Sequence, residues 1–271
     1  MHGLGNDFAI IDAREMPLRL SSLQVRAIAD RHTGVGCDQV IVIEATGAEA
    51  GDAAAFMRIF NADGGEVAAC GNASRCVARL LMIERSASNV ALQTTAGRLE
   101  AEAVEDGRVR VDMGPARERW DEIPLAREMD TLHLDFAAGP LSDPVAINMG
   151  NPHAVFFVDD AEGAPLEEYG PALEHDPLFP ERANIGAVQV VGPDALRLRV
   201  WERGAGLTRA CGTGACAALV AAARRGLTGR QASVQLDGGV LWIEWAENGH
   251  VWMSGPATTS FEGSFELEVL A

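Results

Sequence analysis

Along the chain, apolar side chains alternate with polar ones or gather in short continuous runs, and Gly, Asn and Asp residues separate these segments. Bounded segments of this kind are typical of β-strands. They predict strands at 8–12, 39–44, 56–61, 90–94, 97–104 and 108–113, and then at 145–148, 155–158, 187–191, 195–201, 233–236, 240–245 and 250–253. Helical spacing of the apolar residues predicts helices at 20–30 and 76–84, and an alanine-rich helix at 214–225.

The two halves of this pattern repeat one another. Cys70-Gly71 and Cys211-Gly212 are 141 positions apart, and so are two Gly-Pro-Ala segments that begin at Gly114 and Gly255. Two strand-rich halves with one principal helix each favour an α+β fold over alternating βαβ units. We therefore expect two pseudo-symmetric domains, each a curved, mostly antiparallel sheet or barrel wrapped around a central helix. Residues 1–114 would form the domain with Cys70, residues 115–257 the domain with Cys211, and the tail 258–271 would return to the first.

Composition removes several classes of function. All 22 basic residues of the 271-residue sequence are arginine, so it offers no lysine for a pyridoxal phosphate Schiff base or a phosphate-binding P-loop. A net charge of −17 disfavours nucleic acid or an anionic membrane as a partner, because both would repel an acidic surface. No apolar run approaches the roughly 20 residues of a membrane span, and no signal peptide opens the sequence. We expect a cytoplasmic protein.

The five cysteines are odd in number and contain no C-x-x-C pair, which disfavours both a zinc site and a disulfide framework. We expect no metal. Taken alone, a cysteine is more often a small buried apolar residue than a catalyst. Cys76 and Cys216 fit that role, because they fall among Ala, Val and Leu in predicted helices. Cys70 and Cys211 differ, because they share one local context at a fixed repeat distance.

Each of these two cysteines follows a strand and a polar loop and precedes a helix. A thiol at a helix N-terminus feels the positive end of the helix dipole, so we expect a lowered pKa and accessible thiolate near neutral pH. The adjacent backbone N–H groups of Gly71, Asn72, Gly212 and Thr213 would bind a carboxylate. Two thiols on opposite sides of one pocket could remove a proton from one face of a carbon and return one to the other.

A set of motifs around these cysteines, in order along nearly the whole chain, resembles the diaminopimelate epimerases. The matching segments are 1–8 (MHGLGNDF), 34–39 (GVGCDQ), 61–64 (NADG) leading to 70–72 (CGN), 151–153 (NPH), 182–184 (RAN), and 202–206 (ERGAG) leading to 211–214 (CGTG). The resemblance implies a cofactor-independent isomerase that interconverts LL- and meso-2,6-diaminopimelate for lysine and peptidoglycan precursor synthesis. It also implies two α/β domains with the active site between them, usually in a homodimer.

Carried over residue by residue, the resemblance makes Cys70 and Cys211 the acid/base pair. It places around the substrate Asn6, Gln39, Asn61, Gly71, Asn72, Asn151, Asn184, Glu202, Arg203, Gly212 and Thr213. A carboxylate and a guanidinium suit the ammonium and carboxylate at the far end of diaminopimelate, and amides fix its orientation. His153 is a candidate for setting the ionisation of a thiol. Two departures from the family pattern are Leu207, where the family has an acidic residue, and Ala73-Ser74, where it usually has Gly-Ala.

Other functions compete with this interpretation. Proline racemase-like enzymes and hydroxyproline epimerases pair two thiols similarly, but their substrates have no second charged end, and Glu202-Arg203 disfavours them. An isomerase of the PhzF type would not need both thiols. A non-catalytic thiol protein that senses redox state or binds amino acids is the alternative from a different class.

Overall fold

The structure is a computed structural model that describes residues 1–47 and 51–267. The chain divides into two compact units. The first contains Met1–Asp112 together with the described part of the tail from Ser254 onward, and the second contains Met113–Met253.

The first unit contains helices α1 (Ser22–Ala29) and α2 (Gly71–Arg85). Its strands are β1 (His2–Gly3), β2 (Asn6–Ala13), β3 (Gln39–Glu44), β4 (Ala55–Asn61), β5 (Glu66–Val67), β6 (Asn89–Thr94), β7 (Gly97–Ala103) and β8 (Val109–Pro115). Strand β2 pairs in parallel with β3, β3 antiparallel with β4, and β4 in parallel with β6. Antiparallel pairs β6–β7 and β7–β8 follow.

The second unit contains helices α3 (Leu166–Glu174) and α4 (Gly212–Arg224). Its strands are β9 (Ala137–Ala138), β10 (Leu141–Ser142), β11 (Val145–Asn148), β12 (Pro152–Phe157), β13 (Asn184–Gly192), β14 (Ala195–Glu202), β15 (Gly206–Thr208), β16 (Gln231–Leu236), β17 (Gly239–Trp245) and β18 (His250–Gly255). Here β12 pairs in parallel with β13, β13 antiparallel with β14, β14 in parallel with β16, and β16 antiparallel with β17.

The order of pairings in the second unit repeats that in the first. The short strands repeat as well: β1 and β11 pair antiparallel with β2 and β12, and β5 and β15 with β4 and β14. Helices α2 and α4 occupy equivalent places in the two series. This arrangement confirms the predicted α+β class and accounts for the 141-residue spacing of the two Cys-Gly pairs.

Helix α4 forms the centre of its unit. Every residue from Gly214 to Ala222 is buried, and the helix packs against strands β11, β12, β14, β16 and β17. A helix that is apolar on all sides needs such an enclosure, because no face of it is suited to water. The sheet therefore fixes the direction in which the N-terminus of α4, and with it Cys211, points.

Helix boundaries differ from the sequence prediction where polar residues hide the apolar spacing. Helix α2 begins at Gly71 rather than at 76, because its first turns contain Asn72, Ser74 and Arg75, all of which are buried. Helix α3 was not predicted, since Gly170 and Pro171 interrupt its sequence. Gly170 is required by packing: a Cβ there would lie 2.6 Å from the ring of Trp201. No helix in the described ranges is long and apolar enough to cross a membrane.

Candidate active site

The polar residues singled out from the sequence lie at strand ends. In the first unit, Asn6 begins β2, Gln39 begins β3 and Asn61 ends β4. Because β2 and β3 are parallel and β3 and β4 antiparallel, all three ends lie on the same edge of the sheet. Gln39 and Asn61 are direct cross-strand partners, and Gln39 Nε2 donates to Asn61 Oδ1 at 2.9 Å.

Cys70 is the N-cap residue of α2 and is partly buried beside this edge. Its Sγ lies 4.0 Å from Asn6 Oδ1, and the same oxygen accepts a hydrogen bond from Asn72 Nδ2 at 3.3 Å. The backbone N–H groups of Gly71 and Asn72 are in the first turn, where an α-helix provides no acceptor. The structure thus brings one thiol, two amides and two backbone donors together.

Two aspartates and one arginine fix the orientation of the Asn6 amide. Asn6 Nδ2 donates to Asp38 Oδ2 at 3.0 Å, so that its oxygen is turned toward Cys70 and Asn72. Asp7 and Asp38 each accept the other's backbone N–H, and Arg31 bridges both carboxylates at 2.8 Å. Sequence reasoning missed this hydrogen-bonded network, although its two aspartates directly adjoin Asn6 and Gln39 in the motifs.

Arg75 fixes the second amide. It is fully buried, its Nη2 donates to Asn72 Oδ1 at 2.8 Å, and its Nε lies 3.4 Å from the carbonyl oxygen of Pro256. A guanidinium only donates, so it settles which end of the Asn72 amide is the oxygen. Asn72 Nδ2 is then free to face Asn6.

The second unit repeats the strand-end arrangement with different chemistry. Asn184 begins β13 and Glu202 ends β14, at the places that Gln39 and Asn61 occupy in the first unit. Asn184 is buried; its Nδ2 donates to the carbonyl of Pro152 at 3.0 Å, and its Oδ1 accepts the backbone N–H of Arg203 at 2.9 Å. Asn184 therefore positions the backbone of Arg203.

His153 is a buried, neutral member of this amide group. Its Nε2 lies 2.9 Å from Asn151 Oδ1 and 3.5 Å from Asn184 Nδ2. An amide oxygen only accepts, so the imidazole Nε2–H is the donor to Asn151. Burial, with a further contribution from the positive charge of Arg203, lowers the pKa of His153 to about 3. The described partners of this ring are amides rather than a thiol.

The depressed pKa of His153 predicts a pH dependence of stability. As pH falls from 6.5 toward about 3, His153 binds a proton in the unfolded chain but stays neutral in the folded chain. The contribution of His153 to the free energy of unfolding should therefore be fully present above the pKa of the unfolded chain and fall by about 1.4 kcal/mol per pH unit below it. Urea unfolding between pH 6 and 4 should show that the free energy of unfolding falls less steeply with decreasing pH in His153→Gln than in the parent protein. Exposed His32→Gln is the control, and parallel slopes for all three proteins would contradict the assignment.

Cys211 is the N-cap residue of α4 and is buried. Its Sγ accepts the backbone N–H of Gly214 at 3.3 Å and lies 3.6 Å from Thr213 Oγ1. The Glu202 carboxyl group lies near enough for its charge to act on this thiol, and it accepts a hydrogen bond from Thr208 Oγ1. Burial raises the pKa of Glu202. Thr208, two residues after Gly206 in the motif, is a member of the site that sequence reasoning missed.

The expected activation of both thiols by the helix dipole is wrong for Cys211. Burial first, and then the negative charge of Glu202, raise the pKa of this thiol well above its usual value. A helix terminus contributes only about 0.3–2 kcal/mol, whereas full burial shifts a pKa by up to about 3–5 units. Cys211 is therefore held as a neutral thiol. Burial also raises the pKa of Cys76 to about 11, in keeping with its expected role as a core residue.

Among the described residues, no group of three or more His, Cys, Asp or Glu side chains is arranged to hold a metal ion. Each unit offers one thiol, backbone donors at a helix N-terminus and amides, and the second unit also has the Glu202-Arg203 pair. Such groups transfer protons and bind charged small molecules.

Solved structures of low sequence identity share this fold. A hydroxyproline epimerase from Agrobacterium vitis aligns with a TM-score of 0.64 at 17% identity, covering 94% of this chain and 86% of its own. A phenazine biosynthesis protein of the PhzF family from Bacillus anthracis aligns with a TM-score of 0.64 at 15% identity, covering 94% and 91%. At these identities the likeness concerns the fold alone.

Sequence relatives are much closer. A diaminopimelate epimerase from Rhodospirillum centenum is 57% identical over 270 residues, covering 100% of this chain and 92% of the relative. One from Acidiphilium cryptum is 55% identical over 271 residues, covering 100% and 96%. The family model for diaminopimelate epimerase matches residues 1–118 and 145–260. These segments include both Cys-Gly pairs and the strand-end residues of both units, and the chain therefore belongs to the diaminopimelate epimerase family.

Proposed function

We propose that this protein interconverts LL- and meso-2,6-diaminopimelate by proton transfer at one α-carbon, without a cofactor. The observation that carries the proposal is the pair of equivalent helix N-caps, Cys70 and Cys211, each beside a strand edge that presents polar side chains. Membership of the family supplies the substrate. The rival substrates proline and hydroxyproline have no second charged end for Glu202 and Arg203 to bind.

The α-carboxylate of the substrate would bind the helix N-termini. The backbone N–H groups of Gly71, Asn72, Gly212 and Thr213 are first-turn donors, and removal of the α-proton places negative charge on the carboxylate that they face. Enzymes lower barriers by about 8–23 kcal/mol, and a preorganised donor contributes about 3 kcal/mol. Several such donors supply a large share of the stabilisation, whereas the dipole of one helix does not.

The far end of the substrate would bind Glu202 and Arg203, with Asn151, Asn184, Asn61 and Gln39 fixing its orientation. One detail supports a substrate donor near Gln39. Its Oε1 is buried and has no hydrogen-bond partner among the described residues, although its Nε2 is paired with Asn61. A buried acceptor without a donor costs free energy. A substrate ammonium would provide that donor.

The two thiols would enter the reaction in different protonation states. Cys211, whose pKa is raised by burial and by the charge of Glu202, begins as the thiol that protonates the α-carbon, and Cys70 is then the base that removes the α-proton. The carbon loses one proton and gains one, so charge and atoms balance. In the reverse direction the two roles exchange, and binding of the substrate ammonium beside Glu202 would offset the negative charge that, after burial, raises the pKa of Cys211.

An isotope experiment tests the two-base reaction. With LL-diaminopimelate in D2O, product formed early should contain deuterium at one α-carbon while the remaining substrate stays protiated, because the proton delivered comes from a different group than the one that removed it. NMR and mass spectrometry of the early mixture measure both pools. The outcome that contradicts two bases is deuterium in residual substrate before it reaches product.

Substrate assays test the function itself. Parallel measurements with diaminopimelate, proline and hydroxyproline should give epimerisation of diaminopimelate alone. An absence of α-proton exchange with all three would favour a non-catalytic thiol protein.

We further propose that the enzyme acts in the cytoplasm, in lysine biosynthesis, as a homodimer with a small-molecule substrate and neither nucleic acid nor membrane as a partner. Light scattering during size-exclusion chromatography measures the oligomeric state.

A further inference from the structure

Only two of the described residues that are buried carry a formal charge, Arg75 and Glu174. Arg75 orients Asn72. Glu174 is the last residue of α3 and is 3% exposed, yet the proposed reaction gives it no part. A buried carboxylate is costly unless donors surround it, so its partners indicate what it does.

The partners of Glu174 lie on both sides of the substrate-binding dipeptide. Trp201 Nε1 donates to Oε2 at 2.8 Å, and the backbone N–H of Gly204 donates to Oε1 at 2.9 Å. These two residues directly precede and follow Glu202-Arg203. Arg182 Nη1 contributes a longer contact to Oε1 at 3.5 Å. One carboxylate thus holds both ends of the segment that contains the two charged side chains.

The local backbone depends on this contact. Gly204 has a φ of +77°, in the left-handed region that favours glycine, and it lies in the middle of the turn that leads into β15. Within the turn, the backbone N–H of Ala205 donates to the carbonyl of Glu202 at 3.0 Å. The ring of Trp201 lies against Gly170 of α3, close to Glu174 in the same helix. Helix α3 therefore supports the end of β14 through packing and through charge.

We propose that Glu174 is a positioning residue that sets the direction of Glu202 and Arg203, and so determines recognition of the charged far end of the substrate. The proposal rests on the proposed function. A carboxylate suits this task because both of its oxygens only accept, and bonds to a charged acceptor are shorter and stronger than neutral ones. An amide in its place would turn an NH2 group toward the donor of Trp201 or of Gly204.

The test compares Glu174→Gln with Glu174→Asp and with Glu167→Gln, an exposed position in the same helix. We expect Glu174→Gln to raise KM for diaminopimelate and lower kcat/KM about tenfold, equivalent to about 1.4 kcal/mol. Because the interaction serves binding, kcat should change less than KM. Glu174→Asp, which keeps the charge, should have a KM between those of the parent protein and Glu174→Gln, and Glu167→Gln should match the parent.

A second readout does not depend on activity. Hydrogen exchange at the Gly204 amide and the indole N–H resonance of Trp201 should both change in Glu174→Gln and stay unchanged in Glu167→Gln. Unchanged signals, or a fall in kcat with a parental KM, would overturn the positioning role. If the parent protein fails to epimerise diaminopimelate, the proposed function is wrong, and the exchange data alone then decide whether Glu174 orders the dipeptide.

Discussion

Alanine in place of Cys70 or Cys211 should abolish epimerisation while the protein stays folded. Each substitution removes the base in one direction and the acid in the other, and a positioned general acid or base contributes about 10²–10⁴-fold to a rate. Cys70 lies beside the Asn6 amide, which is neither an acid nor a base, and Cys211 lies beside the partly buried Glu202 carboxyl group. Steady-state assays in both directions measure the loss.

Matched controls lie in the same helices. Cys76 in α2 and Cys216 in α4 are fully buried, so Cys76→Ala and Cys216→Ala remove a sulfur from the core and leave the N-caps intact. Both variants should keep turnover near that of the parent protein, with a modest loss of stability. Parental turnover by Cys70→Ala or Cys211→Ala would refute the acid/base pair.

The second largest effect is expected for Arg203→Lys. A point ammonium cannot reproduce the planar, two-pronged contact of a guanidinium with a carboxylate. A charge-assisted hydrogen bond contributes about 1.5–3 kcal/mol, so losing one should lower kcat/KM by roughly 10- to 150-fold, mainly through KM. The backbone N–H of Arg203 donates to Asn184 independently of the side chain, whereas the guanidinium contact with the carbonyl of Glu181 at 2.8 Å changes with the substitution.

Arg209→Lys provides the comparison for this variant. Arg209 is exposed and lies just before Cys211 in the same segment. The substitution Arg209→Lys therefore makes the same change of side chain outside the proposed substrate-binding residues. Its kinetics should be those of the parent protein. If Arg203→Lys also retains full kcat/KM for diaminopimelate, Arg203 has no direct contact with the substrate and its neighbours Glu202 and Asn184 bind the far end without it.

The loss of kcat/KM in Glu174→Gln should be smaller than that in Arg203→Lys, because Glu174 acts through the backbone of its neighbours. Its carboxylate contacts Trp201 and Gly204, and the substrate would meet Glu202 and Arg203 between them. A double variant, Glu174→Gln with Arg203→Lys, offers an internal check. If the two residues serve one interaction, the combined loss of kcat/KM should be less than the product of the single losses.

Much of the protein could be predicted from local sequence. The strand and turn pattern and the repeated Cys-Gly segments predicted an α+β fold of two similar halves, and the structure confirms that class. The ordered motifs predicted the family, which the relatives confirm. These features are local or periodic: strands follow from alternation between turn residues, and the repeat is a fixed distance in the sequence. The assignment of individual site residues stays a prediction.

Tertiary structure alone decided the environment of the functional groups. Cys70 and Cys211 both lie at a helix N-terminus, but burial and the Glu202 carboxylate keep Cys211 as a neutral thiol. Arg75 and Glu174 have ordinary charged side chains in the sequence, and only long-range packing shows that both are enclosed and orient neighbouring polar groups. Side-chain ionisation and direction depend on desolvation and on partners distant in the chain, and residue spacing contains no record of either.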